Sequence, residues 1–202
     1  AVACHLTDNG VEVKDDEKHY AGEYGSTGLF LDPLTGEEVT SGLLDAGATL
    51  KYVYDPDPQK GEADRTAYPQ AIAAEGEERV RADPETKLVA GACVTSERAA
   101  LGIRGMQAGK DYFTDKAPLT TLEQLEDVKR TIAETGRKYM VNYRERLPVE
   151  AAVYAGELVQ AGAIGKVVQV IGMGPPRLHA PPSPAWLFAQ EKYGGVLHEL
   201  CS

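Results

Sequence analysis

The sequence predicts an α/β protein built on a doubly wound parallel sheet, and three observations carry that prediction. Leu88-Val-Ala-Gly-Ala-Cys-Val94 is a continuous apolar run, as expected of a strand covered on both faces. Thr121–Thr135 places Leu122, Leu125, Val128 and Ile132 at three- and four-residue spacing, the stripe of a helix lying on a core. Strand-like and helix-like segments alternate with short connections from about residue 49 to 145, which is the pattern of βαβ units.

Taken in order, Gly42-Leu-Leu-Asp-Ala-Gly47 reads as a helix end capped by a left-handed Gly47. Thr49–Tyr54 is rich in β-branched and aromatic residues and stops at Asp55-Pro-Asp-Pro58, a strand followed by a turn. A polar helical stretch follows, then a short strand at Ala71–Ala73 and a short helix at Glu75–Arg81 that ends at Asp83-Pro84. After the apolar strand, Ser96–Ala108 is a helix with Ser96 as its cap, closed by Gly109. Asp111–Thr114, Lys138–Tyr143 and Gly165–Gly172 read as strands, and Val149–Ala161 as a helix. Residues 1–41 differ from the rest. They are glycine-rich, with the charged run Lys14-Asp-Asp-Glu-Lys18, and support at most one or two short strands.

Composition narrows the function classes. Of 202 residues, 43% are apolar and 26% charged, which is ordinary globular chemistry. The net charge of −10 disfavours a basic phosphate-binding face, so no nucleic-acid partner is expected. No apolar run approaches the length of a membrane span, and Ala1–His5 opens no signal peptide, so neither membrane nor export is expected. Cys4, Cys93 and Cys201 are odd in number and far apart, which argues against a disulfide framework or a zinc site and fits a reducing cytoplasm. Asp15, Asp16, Glu17 and His19 read as a solvated charge run, and His198-Glu199 lacks the second histidine of a zincin, so no metal is expected.

Three places can carry chemistry. Doubly wound sheets bind ligands at the carboxyl ends of their strands. Asp55 directly follows a strand, where an acid accepts hydrogen bonds from ribose hydroxyls and repels a 2′-phosphate; it also suits a plain turn. Lys116 follows the strand of Asp111-Tyr-Phe-Thr-Asp-Lys-Ala-Pro118, beside Asp115, where a desolvated lysine could exchange a proton; a solvated loop lysine fits the pattern as well. Thr95 and Ser96 follow the apolar strand and would lie beside a dinucleotide, or simply cap a helix. Arg144 and Arg146 could fork onto an anionic substrate or pair on the surface. His179 falls in the proline-rich stretch Pro175–Pro184, read as a loop over the cleft. Trp186 and Tyr193 suit a polyol pocket or a core equally.

From Gly42 to Ser202 the order of segments resembles the glucose–fructose oxidoreductase/inositol dehydrogenase (Gfo/Idh/MocA) family. The matching pieces are Leu-Leu-Asp-Ala-Gly before Asp55-Pro-Asp-Pro58, Ala99–Met106 before Ala-Gly-Lys-Asp-Tyr-Phe113, and Asp115-Lys-Ala-Pro118 where the family has Glu-Lys-Pro. Thr120-Thr-Leu-Glu-Gln-Leu125, Glu134–Tyr143, Ala161-Gly-Ala-Ile-Gly165 and Lys192-Tyr-Gly-Gly-Val-Leu197 follow in family order. The resemblance implies a Rossmann-like domain over residues 42–145 after an atypical segment 1–41. It implies the beginning of a second α/β domain, with an open, mainly antiparallel sheet, over 146–202. It also implies hydride transfer between NAD, less so NADP, and a sugar, inositol or related polyol. Lys116 would bind substrate and help proton transfer, Asp55 would hold the ribose, Thr95, Ser96, Asp115 and Lys116 would line the bound cofactor, and a homo-oligomer would follow if the second domain is whole.

Departures from the family keep other readings open. If Ala1-Val-Ala is the first strand, Cys4, Leu6 and Asn9 stand at the positions of the phosphate-binding glycines, and Gly22, Gly25 and Gly28 follow no clear strand. Ala117 displaces the proline of Glu-Lys-Pro. In the family pattern Gly-Gly-x-x-x-Asp-x-x-x-His, Glu199 aligns with the aspartate as a catalytic candidate, and the histidine would follow Ser202. The chain is therefore read as a polyol dehydrogenase, as part of one, or as a relative without turnover that binds a dinucleotide, a sugar or a protein.

Overall fold

Six strands build one sheet: β1 (Val2–His5), β2 (Thr49–Val53), β3 (Ile72–Ala73), β4 (Leu88–Gly91), β5 (Asp111–Asp115) and β6 (Tyr139–Asn142), side by side as β3-β2-β1-β4-β5-β6. The computed structural model describes residues 2–5, 43–44, 47–142, 150–171, 185–195 and 197–198. Helices α1 (Pro58–Ala67), α2 (Glu77–Ala82), α3 (Thr95–Gln107) and α4 (Leu122–Thr135) connect the strands, and α5 (Glu150–Gln160), a 3₁₀ turn (Ala185–Phe188) and α6 (Gln190–Tyr193) follow. The strand order runs outward in both directions from the β1/β4 boundary, which makes that boundary the topological switch point.

The pleat sorts side chains by face. Register aligns Val89 of β4 with Tyr112 of β5, and Tyr112 with Tyr139 of β6; all three pack in the larger core, under α3 and α4. Their sequence neighbours Leu88, Phe113 and Met140 pack in the second cluster, with Leu50, Val53 and Tyr68. The Tyr112 ring needs room. A Cβ at Gly91 would stand 2.7 Å from its hydroxyl, and one at Gly102 of α3 would stand 2.5 Å from its ring. Both positions are glycine, so the helix settles directly on the two tyrosine rings, whose centroids are 5.0 Å apart.

Termination signals act as the sequence predicts at Gly47 and Gly109, whereas Thr121, read as the first residue of a helix, stands just before it as its cap. Gly47 takes φ 87° after Leu43 and Leu44, with its N–H donating to the Leu44 carbonyl at 2.9 Å. Thr121 caps α4 by accepting from the Gln124 N–H at 3.1 Å, and Gly136 closes it in the left-handed region. Gly109 at φ 78° turns the chain from α3 into β5.

Elsewhere the structure corrects the sequence reading. Helix α3 begins at Thr95 behind Val94, without a side-chain cap, so Ser96 lies inside the first turn. Residues 167–171 form no strand: Val168, Val170 and Ile171 are exposed, and no described strand lies alongside to pair their N–H and C=O groups. The largest correction is β1. It fills the central slot, but antiparallel to both neighbours, while β2–β3, β4–β5 and β5–β6 are parallel. His5 pairs with Thr49 and Cys4 with Leu88, at the amino ends of β2 and β4. The backbone therefore leaves β1 at the edge opposite the carboxyl ends. Strand β1 does not end at the ligand-binding edge, where the sequence reading places the start of the phosphate turn.

Candidate functional site

The parallel strands bring Asp55, Thr95, Ser96, Asp115 and Lys116 to one edge of the sheet. Asp55 follows β2, Thr95 and Ser96 open α3 after β4, and Asp115 ends β5 with Lys116 next. Strands β2 and β4 stand two strand spacings apart, roughly 10 Å, and β5 one spacing further. Asp55 is half-buried, and its Oδ1 accepts from the Asp57 N–H at 2.8 Å, an Asx turn that fixes the carboxylate at the strand end. Thr95 is buried, and the Ser96 carbonyl accepts from Gln124 Nε2 at 2.9 Å, which ties the start of α3 to the start of α4. Trp186 and Tyr193 meet each other edge-on, with centroids 6.1 Å apart, where α6 packs against α3. Arg144, Arg146, His179 and Glu199 lie outside the described residues.

The Lys116 loop is held by side chains. Asp115 Oδ1 accepts from the Lys116 N–H at 2.9 Å. One guanidinium, that of Arg98, donates to the carbonyls of Asp115 and Ala117 at 3.1 Å each and of Lys116 more closely, and its Nε donates to the Cys93 carbonyl at 2.9 Å. The Tyr139 hydroxyl donates to the Pro118 carbonyl at 3.1 Å, and His198 Nε2 meets the Leu119 carbonyl. Five consecutive carbonyls, 115 to 119, are thus met by three side chains. Ala117, which replaces the family's proline, is fully buried, and the Lys116–Ala117 peptide is cis.

Arg98 is only 4% exposed, and the sequence reading missed it. The signal was available: Arg98, Gly102 and Gly105 fall at i, i+4 and i+7 of α3, so an arginine stands in the buried stripe, where charge is rare unless paired. Burial raises the Cys93 thiol and the Tyr112 and Tyr139 phenols above their ordinary titration ranges, so all three are neutral near pH 7. Among the described residues no group of three or more His, Cys, Asp or Glu could hold a metal ion, and no helix is long and apolar enough to cross a membrane.

The fold agrees with comparisons to known proteins. Residues 34–143, more than half of the chain, match the family model described as the Gfo/Idh/MocA oxidoreductase family, NAD-binding Rossmann fold. The chain belongs to that family. A D-xylose dehydrogenase from Paenarthrobacter nicotinovorans is 28% identical over 123 residues, which cover 58% of this chain and 31% of the relative. A solved structure of an oxidoreductase from Erwinia carotovora atroseptica SCRI1043 is 42% identical with TM-score 0.75, covering 80% of this chain and 48% of that one. An NAD-binding oxidoreductase from Klebsiella pneumoniae has TM-score 0.62 at 22% identity, over 74% of this chain and 40% of its own, a likeness of fold alone. The chain thus spans less than half the length of each of these relatives.

The described residues fit half of a dinucleotide. The edge after β2 offers an acid at the ribose position, and the edge after β4 and β5 offers a ledge and a lysine. The pyrophosphate turn that the family places after its first strand is not delivered by β1, which runs the other way.

Proposed function

We propose that this protein is an NAD-dependent dehydrogenase that oxidises a CH–OH group of a sugar, inositol or related polyol. The observation that carries the reading is Lys116 at the carboxyl end of β5, held in place beside the switch point and sharing that edge with Asp55. Bound NAD would supply the hydride acceptor. The chain's own residues would do the rest. Asp55 would take both ribose hydroxyls and repel a 2′-phosphate, favouring NAD over NADP. Thr95 and Ser96 would floor the nicotinamide end. Lys116 would anchor the substrate hydroxyl and receive its proton at Nζ as the C–H hydride departs, so that proton and electron pair are both accounted for. Arg144, Arg146, His179, Trp186 and Tyr193 are proposed to line the polyol site, with Glu199 beside the reacting carbon. The D-xylose dehydrogenase relative supports a sugar-class substrate.

A second reading, a relative that binds without turnover, is favoured by the reversed β1. Two measurements separate the readings: NADH titration by nicotinamide fluorescence, and NAD reduction across a panel of aldoses and inositols. Binding with turnover is expected. Binding without turnover on any polyol supports the second reading; no fluorescence response at millimolar NADH sinks the first and leaves the second only as a binder of a sugar or a protein. In Asp55→Asn the Asx turn survives and the charge does not, so NADH should bind about tenfold more weakly and NADPH more tightly. Unchanged selectivity would remove Asp55 from the ribose site.

A further inference from the structure

We infer that Arg98 is a positioning residue, and that its guanidinium sets where Lys116 stands at the carboxyl end of β5. The inference rests on the dehydrogenase reading for its consequence and on geometry alone for its placement.

Residues 116–119 belong to no helix or strand, so their carbonyls have no ladder to join. A loop in that condition is normally mobile, or held by water. Here the carbonyls are met from beneath. Arg98 alone accepts the work of three consecutive ones, those of Asp115, Lys116 and Ala117, and its fourth bond reaches the Cys93 carbonyl at the end of the neighbouring β4 segment. A planar fork with donors in fixed directions can face carbonyls that diverge from two strand ends at once. A lysine ammonium in the same place is a point donor and cannot span them.

The cost of burying Arg98 shows what the arrangement is organised around. The guanidinium is 4% exposed and donates to main-chain oxygens, those of Cys93, Asp115, Lys116 and Ala117. Burying a charge without a carboxylate is unfavourable unless most of its donors are bonded. Nε and Nη1, with three of the five N–H donors, face four carbonyls, and every one lies on the β4 or β5 exit. Tyr139 and His198 extend the support to Pro118 and Leu119, so the segment from Lys116 to the start of α4 has little freedom left. Proton transfer needs heavy atoms within hydrogen-bond reach, and displacement by about 1 Å is enough to cost about 10²-fold in rate. Arg98 touches neither substrate nor cofactor in this scheme. It acts through the loop.

The test compares Arg98→Met and Arg98→Lys with the unaltered protein. Trypsin cuts after lysine, and the bond after Lys116 leads to alanine, so cleavage at that bond reports whether the loop is held. Exposed Lys129 on α4 is the internal reference, read by mass spectrometry. In Arg98→Met, cleavage at Lys116 relative to Lys129 should rise by about tenfold, and Arg98→Lys should fall between the two. In turnover, kcat should drop by about 10²-fold in Arg98→Met while KM for NAD stays within about twofold, with partial recovery in Arg98→Lys. A general loss of packing would raise cleavage at both sites, and would lower kcat and raise KM together.

An unchanged cleavage ratio, or a kcat equal to that of the unaltered protein, overturns the inference. Should Arg98→Met fail to fold, Arg98→Lys carries the test, with a ratio raised about threefold expected and a ratio equal to the unaltered protein overturning it. An unaltered protein that turns over no polyol but shows the cleavage response refutes the dehydrogenase reading and leaves the placement of Lys116 by Arg98 standing.

Discussion

The two halves of the sheet are built to different standards. The half made of β4, β5 and β6 is parallel throughout, with four consecutive pairs across each of its two ladders. Its strands rest on a buried stripe of α3, and its loop is fixed by Arg98 and Tyr139. The half made of β3, β2 and β1 has two residue pairs between β2 and β3, and a reversed β1 with a register shift between Ala3 and Cys4. The first half carries the proposed proton chemistry, and the second the proposed adenosine end. The difference teaches that the lysine side of this fold is specified by local packing, whereas the cofactor side depends on a central strand whose direction the short segment Val2–His5 does not enforce. Four residues make a short ladder with which to choose one direction, and antiparallel pairing is slightly more stable per residue.

The largest expected effect breaks the function of one half and spares the other. Lys116→Met should lower kcat/KM by about 10²- to 10⁴-fold, the usual worth of a positioned acid or base. NADH affinity, read by fluorescence titration, should stay within about threefold, because Asp55 and the β4 edge are untouched. Full activity in Lys116→Met would remove the lysine from the mechanism. An equal loss of cofactor binding would mean that the two halves are not separable.

A smaller effect tests the packing beneath the loop. In Gly102→Ala the new Cβ would stand 2.5 Å from Tyr112 Cδ1 and from Tyr139 Cε2. Both rings belong to neighbouring strands and Tyr112 is fully buried, so neither can swing clear. Overpacking of this kind costs about 1–3 kcal/mol, against about 1 kcal/mol gained in helix propensity. Net destabilisation of up to about 2 kcal/mol in urea unfolding is expected. A variant more stable than the parent would show that the helix–sheet contact is looser than these distances imply.

What the sequence shows of this follows the same division. The β4–β6 half is legible because its signals are local: a continuous apolar strand, a four-point helical stripe, and glycines at helix ends that take positive φ at Gly109 and Gly136. Lys116 is legible as a position because strand ends are. Arg98 is not read, since its importance lies in which carbonyls it meets, although its place in a buried stripe was visible. Strand direction in β1 is invisible in principle: Ala1-Val-Ala-Cys-His5 has the same alternation read either way. The absence of a strand at 167–171 follows from partners, which no local pattern encodes. The roles of Arg144, Arg146, His179 and Glu199 stay with the family resemblance, because those residues lie outside the described ones.

The smallest expected effect concerns the seam that joins the two halves. Asp83, buried between α2 and β4, accepts from the Tyr52 hydroxyl of β2 at 2.6 Å and pairs with Lys51 at 2.6 Å, while its carbonyl accepts from Lys110 Nζ, just before β5, at 2.6 Å. The Lys51 ammonium, followed by the Tyr52 hydroxyl, holds the Asp83 carboxyl well below the ordinary aspartate range. Because the folded-state value is depressed, the contribution is fully present above the unfolded value of about 4 and is lost as pH falls below it. Asp83→Asn keeps the shape and an acceptor for Tyr52 but loses the charge, so it should cost about 1 kcal/mol at pH 7. Urea unfolding of both proteins at pH 7, 4 and 3 should show that difference narrowing only in the acid range. A gap that stays constant down to pH 3 would mean that the carboxylate is not what stitches β2 to the approach of β5. The two halves would then be joined by their apolar clusters alone, and the reversed strand between them would carry more of the sheet's continuity than its four residues suggest.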